Sequence, residues 1–306
     1  MKKIILYLVL SFCSLIAGNG GYGGAFLRVG MGPTGQALGN SGVARFNPVP
    51  SSVYYNPAII TELNSSIFEA GYNFMSLDRQ FIYLAYATKL KGTASLSLNY
   101  IKSGVGNILS RDNEGISYGD IEHNYHAVQV IFGKSFGTFS FGFALRLMYE
   151  FMDNPEFDYS GSGVAMDIGF LYKLTEQLWL GAHVKDINGK LESNSEEIYS
   201  QGQTLPNDFP TIYKLGVGWQ VDPDWGSVYY DYEQSSRETV KHHIGVESTV
   251  LMEMLQVRAG MENDRFTAGF GLTFETFGKS SEINYVYLPS VIDEGDSHAF
   301  SWIFTL

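Results

Sequence analysis

Histidine is the first place to look for metal or proton chemistry, and the chain has six. His242 and His243 are adjacent, and His123 and His126 are three apart. His298 and Ser301 repeat the three-residue spacing. In an extended chain, odd separations send side chains to opposite faces, so none of these pairs converges. Zinc needs several converging nitrogen or sulfur ligands, and the single cysteine, Cys13, lies in an apolar leader. No Ser/His spacing defends a nucleophile and its base. The chain reads as non-catalytic, with no cofactor and no metal site.

Three other sets of residues are candidates for binding. Asn56-Pro57-Ala58 offers a carboxamide beside a fixed φ; it reads either as a ligand-site lining or as a rigid turn, because proline restrains itself and the residue before it. Arg28 and Arg45 are the only cations between residues 19 and 65, and they are expected to anchor that segment to acidic partners. A third set comprises charges on the polar faces of alternating segments: Arg146, Glu150, Asp167, Lys185, Lys214, Asp231, Glu233, Lys241, Glu247, Arg258 and Glu262. These are expected to pair across strands and fill a polar interior rather than line an open conduit.

The elements that position these residues are strands. Phe139, Phe141, Phe143, Leu145, Leu147, Tyr149 and Phe151 alternate with Ser140, Gly142, Ala144, Arg146, Met148 and Glu150. Successive side chains of a strand point to opposite faces, so one face is wholly apolar and the other small or charged. The same alternation recurs from about residue 66 to Leu306 in roughly fourteen segments of about ten residues, the length that crosses a bilayer as a tilted strand. Tight connections are expected near Lys91-Gly92, Ser135-Gly137, Thr175-Glu176, Asp222-Trp225, Met252 and Gly278-Ser280. Long ones are expected over Gly104 to Ile121, Asp153 to Gly161 and Asp186 to Pro210, with a shorter Pro289 to Asp296. Short turns on one rim and long loops on the other are how outer-membrane barrels are built.

Composition agrees. The chain has 306 residues, a formal charge of −12, and 20 Tyr and 21 Phe, an aromatic excess that membrane-interface girdles explain. Mean hydropathy is −0.04, too polar for a bundle of membrane helices. The run Ile4 to Ala17 follows Lys2 and Lys3 and is too short to span, so it reads as a secretory signal peptide. The acidity argues against nucleic acid as a partner. Residues 19 to 65 break the strand pattern; they are glycine-rich and apolar, with too little bulk for a separate core, which fits a plug inside the barrel. The expected organisation is therefore a signal peptide over 1–18, an N-terminal hatch over 19–65 and an all-β, transmembrane antiparallel β-barrel of about fourteen strands over 66–306, exported to the bacterial outer membrane and embedded in its lipid.

Several motifs together resemble a known family. Ala25-Phe26-Leu27-Arg28-Val29-Gly30 and Tyr54-Tyr55-Asn56-Pro57-Ala58 resemble the N-terminal hatch of PorV/PorQ proteins, which are related to the FadL-type transporters of hydrophobic compounds. Ser160-Gly161-Ser162-Gly163-Val164-Ala165-Met166-Asp167-Ile168-Gly169 resembles a strand of that family, as do Leu215-Gly216-Val217-Gly218 and the ending Gly295-Asp296-Ser297-His298-Ala299-Phe300-Ser301. Ile59-Ile60 and the terminal Leu306 depart from the family pattern. The resemblance implies a hatch-plugged barrel. Its first functional implication is assistance of protein secretion or surface attachment, with secretion-system or cargo proteins as partners. Its second is a passive channel for hydrophobic small molecules such as fatty acids.

Overall fold

The computed structural model describes residues 23–111, 114–153, 159–194, 204–222, 226–237, 240–251, 254–290 and 294–306. The expected signal peptide, the turn at Met252 and most of the turn at Asp222-Trp225 lie outside them.

The described residues form fifteen strands: β1 (Ile67–Phe74), β2 (Arg79–Lys89), β3 (Ala94–Arg111), β4 (Ser117–Phe136), β5 (Phe139–Asp153), β6 (Tyr159–Lys173), β7 (Leu178–Asn194), β8 (Thr204–Asp208), β9 (Ile212–Asp222), β10 (Gly226–Ser235), β11 (Lys241–Val250), β12 (Leu255–Glu262), β13 (Arg265–Thr276), β14 (Lys279–Leu288) and β15 (Ser297–Thr305). Every pairing is antiparallel between chain neighbours, except that β15 returns to β1 and β9 passes over β8 to pair with β7. The sheet therefore closes on itself as a fourteen-stranded barrel, with β8 an extra strand hung on the outer half of β7. Closure gives every wall strand two neighbours, the condition for placing a sheet in hydrocarbon, where no water can satisfy a free edge.

The two faces of the wall follow the alternation. On β2, Phe81, Tyr83, Ala85 and Ala87 are buried while Leu84 and Tyr86 are exposed. Outward apolar side chains such as Leu98, Val130, Leu147, Val246, Phe270 and Trp302 form a continuous greasy exterior, and Phe136, Phe139, Tyr172 and Trp219 cluster at the short-turn rim. In a water-soluble protein this would be an unbalanced exposed surface; against acyl chains it is the expected one.

Two loop expectations are corrected. Gly104 to Ile121 is mostly strand, because β3 and β4 stay paired to Arg111 and Ser117 across a register shift between Val105 and Ile108, where Asn107 takes a φ of 55°. Asp186 to Pro210 likewise begins as strand: β7 runs on to Asn194 past Asp186 and Asn188, both at positive φ, and is covered by β8. Beyond the membrane both faces meet water, so apolar–polar alternation is no longer required and its loss does not mark a strand end.

Residues 23–65 fold as three short 3-10 turns (Ala25–Leu27, Pro50–Tyr54, Pro57–Glu62) and one helical turn (Pro33–Gln36). Most of this segment is fully buried. It touches inward-facing positions around the ring, so it lies within the lumen, running from Gly23 beside Phe209 at the long-hairpin rim to Leu63 at the opposite one.

Candidate functional site

The wall receives this inner segment through glycines. A Cβ on Gly260 would stand 2.1 Å from Gly39 N and 2.1 Å from Leu38 C; on Gly142, 2.2 Å from Ala58 N; on Gly218, 2.0 Å from Ala44 O. The contacts are with backbone, so side-chain adjustment cannot relieve them. Gly181 meets the Val43 backbone in the same way, while Gly169 makes room for the Asn56 and Pro57 side chains. These inward glycines let two backbones lie at van der Waals distance, a role that glycine in a strand can take.

Asn56 is fully buried, and its carboxamide serves the backbone. Nδ2 donates to Val43 O (2.7 Å) and Phe170 O (2.9 Å), and Oδ1 accepts from Ala58 N (3.0 Å). Pro57 and Ala58 rest on Gly142. The Asn56-Pro57-Ala58 step is thus the brace that ties the segment to β6.

Charges hold the other side. Arg45 donates to Glu247 at 3.0 Å, and Glu247 also accepts from Arg258 at 2.5 Å; Arg258 continues to Asn284 (2.7 Å) and Glu282 (3.3 Å). Asp231 accepts from the amides of Gly42 (2.7 Å) and Val43 (3.0 Å). Glu69 accepts from Ser51 N, Ser51 Oγ and the Tyr83 hydroxyl at 2.8, 3.0 and 2.6 Å. Lys214 pairs with Glu233 (2.5 Å), which also faces His243 (3.1 Å), whose other nitrogen lies 2.8 Å from Gly39 O. Arg146 bridges Asp167 and Asp186 at 2.6 and 2.5 Å. Arg146, Asp167, Lys214, Glu233, Glu247 and Arg258 therefore point inward and pair across strands, whereas the buried Asp231 meets main-chain amides. Arg28 lines a cavity at the long-hairpin rim.

The remaining sector of the lumen is apolar. Phe81, Tyr83, Ala85, Ile101, Ala127 and Met148 of β2 to β5 meet Leu27, Met31, Tyr54 and Tyr55 of the inner segment in one cluster. Phe26 stacks on Tyr125 with centroids 4.2 Å apart, and Lys185 Nζ stands 3.2 Å over the Tyr54 ring.

The histidines separate as their spacing requires. His243 faces the lumen while His242 meets Tyr230 (2.8 Å). His123 meets Glu150 (2.7 Å) while His126 meets Tyr100 (2.7 Å). His298 is bonded to Tyr285 (2.8 Å), apart from the buried Ser301. Gly115-Ile116-Ser117-Tyr118-Gly119 has the spacing of a G-x-S-x-G nucleophile elbow, but it lies where the β3–β4 hairpin turns, without the strand-to-helix step such an elbow needs.

No family model and no curated protein matches this chain. Solved structures do. The toluene transporter TodX of Pseudomonas putida superposes with a TM-score of 0.61 at 14% identity, over 90% of this chain and 96% of that one. The monoaromatic hydrocarbon channel CymD gives 0.64 at 14%, over 92% and 99%. A FadL homologue of Pseudomonas aeruginosa gives 0.59 at 12%, over 90% and 96%. At such identities the likeness establishes a shared fold, that of the FadL-type barrels.

Proposed function

We propose that the protein is a passive outer-membrane channel for small hydrophobic molecules, with residues 23–65 as its movable hatch. The observation that carries this reading is the apolar sector of the lumen. A water-filled pore is lined by polar groups; here aromatic, methionine and aliphatic side chains of β2 to β5 face Leu27, Met31, Tyr54 and Tyr55 across a seam held mainly by packing. Ion pairs fix the opposite side of the segment, so motion that opens the seam leaves Arg45 and Glu247 joined. The solved hydrocarbon channels of the same fold support this substrate class.

A lock tests the reading. Thr61 Oγ1 of the inner segment lies 2.9 Å from Ser140 Oγ of β5, and the chain beyond Cys13 has no thiol. A Thr61→Cys/Ser140→Cys pair should cross-link on oxidation. Cells taking up radiolabelled toluene or oleate through this protein should lose that uptake when the pair is oxidised and regain it on reduction. Uptake that ignores the cross-link refutes a moving hatch.

A second reading, the accessory of protein secretion or surface attachment that PorV/PorQ resemblance suggests, is favoured by the hairpin of β3 with β4 and the ribbon of β7 with β8. Both outreach the membrane-spanning length of about ten residues. Co-elution of a secretory assembly from gently solubilised membranes, lost on trimming either hairpin, would replace the channel reading.

A further inference from the structure

Between the inner segment and strands β7 and β9 to β12 lies a small cavity of about 20 Å³. Cations dominate its lining: Lys185, Lys214 and Lys241 from the wall and Arg28 from the inner segment, against the carboxylates of Glu233 and Glu262. Asn40, Tyr54, Ile212 and His243 complete it. Both carboxylates are already engaged. Glu233 accepts from Lys214 at 2.5 Å and faces His243 at 3.1 Å; Glu262 accepts from Asn40 Nδ2 at 3.0 Å and pairs with Arg265.

Lys185 stands apart from this arrangement. It is 2% exposed, and among the described residues its ammonium has neither an ion pair nor a hydrogen bond. Its one close partner is the face of the Tyr54 ring, 3.2 Å away. The acids around it are committed elsewhere: Asp186 and Asp167 are bridged by Arg146 at 2.5 and 2.6 Å, and Asp231, beside Lys214, is turned to the Gly42 and Val43 amides. An ammonium carries three donors and no acceptor, and a ring face occupies only one side of it. A buried charge without a counter-charge is costly. The nitrogen is not sealed off, either. Both nitrogens of neighbouring His183 are closed to any contact, whereas Lys185 opens on the cavity.

We propose that this cavity binds a single chloride ion, held by Lys185 and faced by Lys214, Lys241 and Arg28, which joins the inner segment to the wall. Size selects the ligand. The volume holds one particle of about the size of water, so a monatomic anion enters and a sulfate, phosphate or carboxylate group does not. The site does not depend on passage through the lumen, so anion binding and uptake can fail independently.

The test uses the full-length protein in detergent micelles, with thermal unfolding followed by tryptophan fluorescence. Sodium chloride replaces sodium gluconate at constant ionic strength. A ligand that binds only the folded state raises stability with the logarithm of its concentration once that exceeds Kd. The unfolding midpoint should therefore climb with chloride and with bromide, and stay still when sulfate replaces gluconate at matched ionic strength. Crystals grown in bromide should show one anomalous peak within hydrogen-bond reach of Lys185 Nζ. Lys185→Met keeps the stem and removes the charge; it should weaken chloride by at least about tenfold, the loss expected for a charged hydrogen bond. In gluconate this variant should be no less stable than wild type, because an unpaired buried charge is gone. No chloride dependence in wild type, an equal response to sulfate, a bromide peak absent from the cavity, or a Lys185→Met variant that responds to chloride as wild type does would each overturn the proposal. The salt comparison needs wild type alone, so it decides the matter even where the variant fails to fold.

Discussion

Alanine at Gly260 is the sharpest perturbation of the packed lumen. The new methyl group would sit 2.1 Å from Gly39 N and Leu38 C, more than an ångström inside the ordinary contact distance of about 3.5 Å. The atoms it meets are main chain, flanked by Gly39 at φ 66°, and they cannot rotate away. Overpacking of this kind costs about 1–3 kcal/mol. Replacing glycine in a strand otherwise returns about 0.4–1 kcal/mol through the unfolded chain, so the net expectation is a loss of about 1–2 kcal/mol, taken by the cheaper of two routes: bending β12 or unseating residues 38–39. Gly106→Ala is the matched control, because nothing lies within 4 Å of its added methyl and its backbone is not at a strained φ. Heat-modifiable gel mobility reads barrel stability, and trypsin cleavage after Arg45 reads seating of the inner segment. Gly260→Ala should unfold earlier and be cut faster, while Gly106→Ala matches wild type. If both variants behave as wild type in both assays, the segment does not rest against this wall.

Three further outcomes follow from the same contacts. Arg45→Ala leaves Glu247 with Arg258 as its remaining cation, so the loss should be about 1–3 kcal/mol rather than the 3–5 of a fully orphaned buried charge, with faster trypsin cleavage after Arg28 as the check. Asn56→Ala strips the Val43 and Phe170 carbonyls of their donor and should cost about 2–4 kcal/mol in thermal unfolding, while affinity for a hydrophobic probe stays unchanged; a loss of affinity in a stably folded variant would make Asn56 a ligand contact. Hydrogen bonds from the Tyr287 hydroxyl (2.6 Å) and the Ser290 amide (3.0 Å) hold Asp296 below the usual carboxylate range. A depressed folded value gives stability that is present above the unfolded value and lost as pH falls through the folded one. Protection of the Ser290 amide, its exchange rate relative to that of an unprotected amide, should therefore fall only in acid, and Asp296→Asn should abolish that change in protection.

Much of the barrel was legible because hydrocarbon enforces alternation. The run from Phe139 to Phe151 states its two faces directly, and the inward charges from Arg146 to Glu262 were placed by parity alone. Legibility ended where the enforcing solvent ended. Outside the bilayer, Gly104 to Ile121 and Asp186 to Asn194 lose their pattern yet remain strands, and β8 carries Pro206 as a short edge strand can. The inner segment could be recognised as non-strand but not docked. The purpose of Gly142 and Gly260 shows only where the backbones of Ala58 and Gly39 lie against them.

The seam of the cylinder joins the two ends of the wall: Ile67 stands opposite Thr305, and the amide of Leu306 donates to Ser66 O at 2.8 Å. This is the wall pairing of greatest sequence separation, so of all the staves it carries the largest loop-closure cost. A single hoop fastening thus joins positions more than two hundred residues apart, and the closed circumference depends on it.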